Sequence, residues 1–86
     1  MAVIQLTQEN IEDTINNNDI VVIDFWASWC GPCQAFKPVF EKASEKHTDA
    51  TFASCNTEEQ TELASMFKIQ SIPTVVVFRD GIGIFG

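Results

Sequence analysis

The sequence predicts an α/β fold, a central mixed β-sheet with helices on both faces. Three observations carry that expectation. Strand-like and helix-like segments alternate through most of the chain. One strand candidate, Ile20–Trp26 (IVVIDFW), is apolar and β-branched with no alternation, the pattern of a strand buried on both faces and central in its sheet. The chain then closes on a hairpin signal, Asp80-Gly81, which adds an antiparallel pair to a parallel portion. The element order is β-α-β-α-β-α-β-β, in one domain over residues 1–86.

Each element has its own local reason. Ala2–Leu6 alternates weakly and reads as a short strand. Thr7 reads as an N-cap with Glu9 in the first helical turn, and Ile11, Thr14 and Ile15 fall at helical spacing up to the Asn16-Asn17-Asn18 run. After the central strand, Phe36, Val39, Phe40 and Ala43 trace an apolar helical face. That helix starts at a pair of cysteines and runs to about Lys46, with Pro38 inside it as a kink. Thr51–Asn56 is a strand. Thr57 with Glu58-Glu59-Gln60 resembles a capping box ahead of a helix that buries Leu63, Ala64 and Phe67. Thr74–Phe78 and Ile82–Phe85 are the strands of the hairpin. A covered sheet needs helices on both faces, and a fourth helix, beside the one holding Pro38, is absent from the count.

Composition excludes several classes. Twelve acidic residues against five Lys and Arg leave a formal charge of −7, so no basic stripe is available for nucleic acid. The apolar runs are too short to span a bilayer, and no basic-then-apolar leader opens the chain, so a cytoplasmic location is expected and no membrane partner. Three cysteines are an odd count for a disulfide-stapled scaffold.

Cys30 and Cys33 stand in "FWASWCGPCQAFKPVF", two residues apart. A zinc site fails on ligand count. The remaining soft ligands are Cys55 and His47, and His47 lies about 20 Å away along the helix. A structural disulfide closing so small a loop would remove little entropy from the unfolded chain. A redox centre fits every local feature. A helix N-terminus favours a thiolate, and Cys30 lies at that terminus, at the carboxyl end of the central strand where open α/β sheets react. Cys33, one turn in, is close enough to attack a mixed disulfide on Cys30. Pro32 suits a first turn, and Gly31 lets a substrate backbone approach.

Together, "VVIDFWASWCGPC", the Lys37-Pro38 pair, "SIPTVVVF" and the final "DG" resemble the thioredoxin family over essentially the whole chain, in the family's order. The resemblance implies the thioredoxin fold and a dithiol–disulfide oxidoreductase that cycles through a Cys30-Cys33 disulfide. It implies no resident cofactor, regeneration by a flavin- and NADPH-dependent thioredoxin reductase, and disulfide-containing proteins as substrates. The other class of function kept open is a non-catalytic binding module or subunit on the same fold.

Asp24, mid-strand in IVVIDFW, is expected to be buried with a raised pKa. By resemblance it exchanges the Cys33 proton through a water. By resemblance too, the Ile72-Pro73 bond is cis and its loop lies against the cysteines, pairing with substrate backbone. Trp29 reads as an exposed docking surface, Trp26 as a core ring, Cys55 as a small buried hydrophobe and His47 as a dipole partner at a helix end. Three departures stand out. Gln34 and Ser54 occupy positions where the family often has Lys, which is expected to lower positive charge around the dithiol. The chain ends at Gly86, where the family continues through a loop and a helix. The expectation is a truncated chain that exposes apolar surface over Val75–Phe78, or covers it by self-association.

Overall fold

In the computed structural model, which describes residues 3–85, the order of elements is the expected one. These are β1 (Val3–Gln5), α1 (Ile11–Asn16), β2 (Ile20–Trp26), α2 (Gly31–Lys46), β3 (Thr51–Asn56), α3 (Thr61–Met66), β4 (Thr74–Arg79) and β5 (Ile82–Phe85). The sheet runs β1-β3-β2-β4-β5, so β2 is the middle strand, as its unbroken apolar run implies. It pairs parallel with β3 and antiparallel with β4. The turn into β5 holds Asp80 and Gly81 at φ 54° and 80°, the left-handed pair a two-residue hairpin requires.

Side chains alternate across β2, and the two sets meet different partners. Val21, Ile23 and Phe25 are fully buried, in register with Ala53 and Cys55 of β3 and Val76 of β4. Leu6 and Leu63 close this core, with Ile11, Phe67 and Phe78 packed against it, so α1 and α3 lie on this face. Phe67 sits 5.3 Å from Phe25 and 5.6 Å from Phe78, ring centre to ring centre. The alternate residues Val22, Asp24 and Trp26 look to the other face. There α2 packs through Phe40 against Phe52 at 5.2 Å. Val22, Val75 and Val77 remain only half-buried.

Several local expectations are corrected. Thr7 does not cap α1. It and Asn10 bond each other's backbone N–H reciprocally, at 2.8 and 3.2 Å, and this closes a turn from which the helix starts later, with Asn10 as N-cap. Thr57 does not cap α3 either. Its hydroxyl donates to the Trp26 carbonyl, and Asn56 Oδ1 takes the Glu58 N–H at 2.8 Å instead. The N-cap of α3 is Gln60. Val39 is exposed, because α2 meets the sheet through Cys33, Phe40 and Ser44. The apolar surface expected over Val75–Phe78 is only partly open: Val76 is buried, Phe78 packs on Phe67, and Val75 and Val77, beside Val22, are half-buried.

Candidate active site

Beyond β2 the chain leaves the sheet at Ala27 and enters α2 at Gly31, so Cys30 falls at the helix N-cap. Its backbone is extended (φ −89°, ψ 108°), and its Sγ accepts the Cys33 N–H at 3.2 Å. A sulfur thus takes the place that a Ser or Asp oxygen usually fills, satisfying a donor the helix cannot satisfy itself. Pro32, in the first turn, has no N–H to leave unpaired. Cys30 and Cys33 form a disulfide, with Cα atoms 5.2 Å apart.

The two sulfurs are not equivalent. Both cysteines are largely buried with Ala27, against Trp26 and Ile72. Gly31 and Pro32 between them are exposed, and a Cβ built on Gly31 would meet nothing within 4 Å, so that edge is open to an approaching chain. Cys30 Sγ lies 3.8 Å from the Ile72 carbonyl oxygen, and the Ile72-Pro73 bond is cis. Trp29 is 72% exposed. It forms one wall of a groove of about 180 Å³ that Ile69, Gln70 and Ile72 complete.

Cys33 faces the interior. A cavity of about 10 Å³, the size of one water, is lined by Cys33, Asp24, Trp26, Lys37 and Ser54. A wider cleft of about 400 Å³ shares Asp24, Lys37 and Ser54 and extends toward Val3, Gln5 and Glu41. Asp24 is 4% exposed, and its Oδ1 has no hydrogen-bond partner among the described residues. Burial pushes its pKa up from 3.8 to about 6, because the charged form loses water without gaining a donor. A carboxyl that titrates near neutrality beside a thiol can take or return a proton.

Two features of the site escape sequence reasoning. Lys37, one turn beyond Cys33, lies with its Nζ 5.7 Å from the centre of the Trp26 ring. Lys37 also lines the cavity shared by Cys33 and Asp24, and Trp26 lines it where a purely core ring was expected. Helical spacing from Cys33 was the available signal. The second is Glu58, whose carboxylate accepts both the N–H and the hydroxyl of Ser28 at 3.0 and 2.7 Å. No local pattern announces that contact, which joins residues 30 apart.

Two single-residue expectations, for Cys55 and His47, agree with the structure. Cys55 is fully buried in the main core, and burial pushes its thiol up to about 11. His47 is the exposed C-cap of α2. Among the described residues no group of three His, Cys, Asp or Glu could hold a metal ion, and no helix is long and apolar enough to cross a membrane.

An α/β sheet with a cysteine pair at the N-terminus of a helix, a cis-Pro loop against the first sulfur and a buried carboxyl beside the second defines a dithiol–disulfide oxidoreductase. Residues 2–84 match the thioredoxin family as a whole. The chain is similar to the putative thioredoxin 2 of Streptomyces coelicolor, at 48% identity over 84 residues, which cover 98% of this chain and 63% of that protein. It is 43% identical over 81 residues to the thioredoxin of Alicyclobacillus acidocaldarius, covering 93% of this chain and 77% of the other. The oxidised mitochondrial thioredoxin 3 of Saccharomyces cerevisiae shares the fold with a TM-score of 0.90 at 34% identity, over 95% of this chain and 78% of that one. The chain belongs to the thioredoxin family.

Proposed function

We propose that this chain is a redox carrier that reduces protein disulfides through Cys30 and Cys33. The observation that carries the proposal is the inequality of the two sulfurs. Cys30 sits at an N-cap beside an open edge, and Cys33 sits behind it on a water-sized cavity shared with a carboxyl that titrates near neutrality.

In the reduced protein the Cys30 thiolate attacks one sulfur of a substrate disulfide. The substrate S–S bond breaks, its other sulfur leaves as a thiolate and takes a proton, and a mixed disulfide joins Cys30 to the substrate. Cys33 loses its proton to Asp24 and attacks Cys30 Sγ. The mixed disulfide breaks, the second substrate thiol is released, and Cys30 and Cys33 are joined. Two electrons have passed from the protein to the substrate. Trp29, Gly31, Pro32, Ile72 and Pro73 border Cys30 and form the docking surface for the incoming polypeptide. The cycle closes when a flavin- and NADPH-dependent thioredoxin reductase returns two electrons, so the chain itself needs no cofactor. A cytoplasmic setting, where thiols are kept reduced, suits this chemistry.

A trapping experiment tests the proposal. A Cys33→Ser chain, reduced and mixed with a disulfide-linked protein, is expected to accumulate an adduct through Cys30 that dithiothreitol releases. A Cys30→Ser chain is expected to form none. No adduct with Cys33→Ser, in a chain that is folded, would favour a non-catalytic module. The half-buried strip of Val22, Val75 and Val77 supports one further reading, self-association over that face. Sedimentation across a concentration series checks it, and a monomer at every concentration would remove it.

A further inference from the structure

The parallel pairing of β2 and β3 continues past its last register pair, Trp26 with Asn56. Both the N–H and the hydroxyl of Thr57 donate to the Trp26 carbonyl, at 2.8 and 3.1 Å. In a regular parallel ladder the next rung would take the Ser28 N–H to the Thr57 carbonyl. Here the Glu58 carboxylate takes that place. One oxygen, Oε1, accepts the Ser28 N–H at 3.0 Å and the Ser28 hydroxyl at 2.7 Å. Glu58 is itself held from behind, since its N–H donates to Asn56 Oδ1.

The rung falls where position matters most. Ser28 precedes Trp29, and Trp29 precedes Cys30. Trp29 is 72% exposed, so little packing fixes its ring, and its direction depends on the backbone just before it. A charge-assisted pair of hydrogen bonds is a strong and directional anchor for one residue of loop. Glu58 touches neither sulfur.

We propose that Glu58 is a positioning residue that latches Ser28 and thereby aims Trp29 at docked polypeptide substrates. The proposal rests on the reductase reading given above. It predicts a selective defect. A folded protein substrate pressing on Trp29 needs the ring in place, whereas a small disulfide needs only Cys30.

Steady-state kinetics with one protein disulfide and one small aromatic disulfide separate these. Glu58→Ala is expected to raise KM for the protein substrate about three- to tenfold and to leave kcat, and both constants for the small disulfide, within about twofold. Glu58→Gln should recover most of the loss, because its amide oxygen still accepts. Trp29→Ala should raise KM in the same way, and adding Glu58→Ala to it should add little. Two results would overturn the inference while wild-type turnover stands: Glu58→Ala kinetics equal to wild type on both substrates, or an equal loss on both with a lowered thermal midpoint. A folded wild-type chain without turnover would remove the reductase reading, and this inference with it.

Discussion

The two faces of the sheet are built from the same strands and do opposite work. On the face under α1 and α3, Val21, Ile23, Phe25 and Val76 are fully buried among Leu63, Ala53 and Cys55. One residue along in each strand, the other face carries Asp24, half-buried Trp26, and the half-buried valines 22, 75 and 77. The first face is an apolar core, closed by Leu6 and Leu63 with Ile11, Phe67 and Phe78 packed against it. The second keeps an unpartnered carboxyl, two clefts and the inner sulfur of the disulfide. Stability and chemistry are separated by one pleat, because the side-chain period of a strand is two.

If that division is right, mutations one residue apart should differ in kind. The largest effect is expected in the core. Phe25→Ala, which removes a fully buried ring touching Phe67, should cost about 3–5 kcal/mol, read from denaturant unfolding. In a chain of this size that is enough to leave much of it unfolded at room temperature. Next come the paired valines. Val76→Ala should cost about 2–3 kcal/mol and Val77→Ala, already half-exposed, about 1 kcal/mol or less. Equal costs would show that the second face is covered in solution, and a cost for Val77→Ala that depended on protein concentration would point to a second copy as the cover.

Asp24 reverses the sign. Its pKa of about 6 in the fold lies above the ordinary 3.8, so the folded state holds its proton longer than the unfolded state does. Stability is therefore full below about pH 4 and declines as pH rises through about 6. Asp24→Asn removes that decline and should stabilise the protein at pH 7 by roughly 1–3 kcal/mol, discounted for the cleft that wets the site. The same change should slow release of the mixed disulfide and flatten the fall in rate below about pH 6, measured as a pH–rate profile. A wild-type profile that does not bend near pH 6 would remove Asp24 from the proton path. The smallest effect is expected for Lys37→Gln. Losing the cation over the Trp26 ring should cost about 0.5 kcal/mol of stability, read from denaturant unfolding.

Much of this was legible from residues alone, and the pattern of failures is physical. The bounds of β2 and β3 could be read because a run such as IVVIDFW suits little else than a strand covered on both sides. The dithiol could be read because Cys-Gly-Pro-Cys between a strand and an amphipathic helix restricts the chemistry. Caps were misplaced at Thr7, whose hydroxyl closes a turn ahead of the helix by accepting the Asn10 N–H, and at Thr57, where the Asn56 side chain takes the Glu58 N–H instead. Val39 was misjudged because helical spacing marks a face without saying how much of it the sheet can cover. Glu58 and Lys37 were missed for a different reason. Glu58 meets Ser28, and Lys37 the Trp26 ring, only in the tertiary fold, although the helical spacing of Lys37 from Cys33 was itself legible.

A Cys30 sulfur beside the open edge at Gly31 and Pro32, with Cys33 facing the interior, is expected to make this chain a working reductase. Turnover of a protein disulfide by the 86-residue chain, driven by dithiothreitol, tests that most directly. The expected rate is well above that of the reductant alone and returns to the reductant's own rate in Cys30→Ser. A chain that shows a folded far-UV spectrum and adds nothing to the reductant's rate would contradict it.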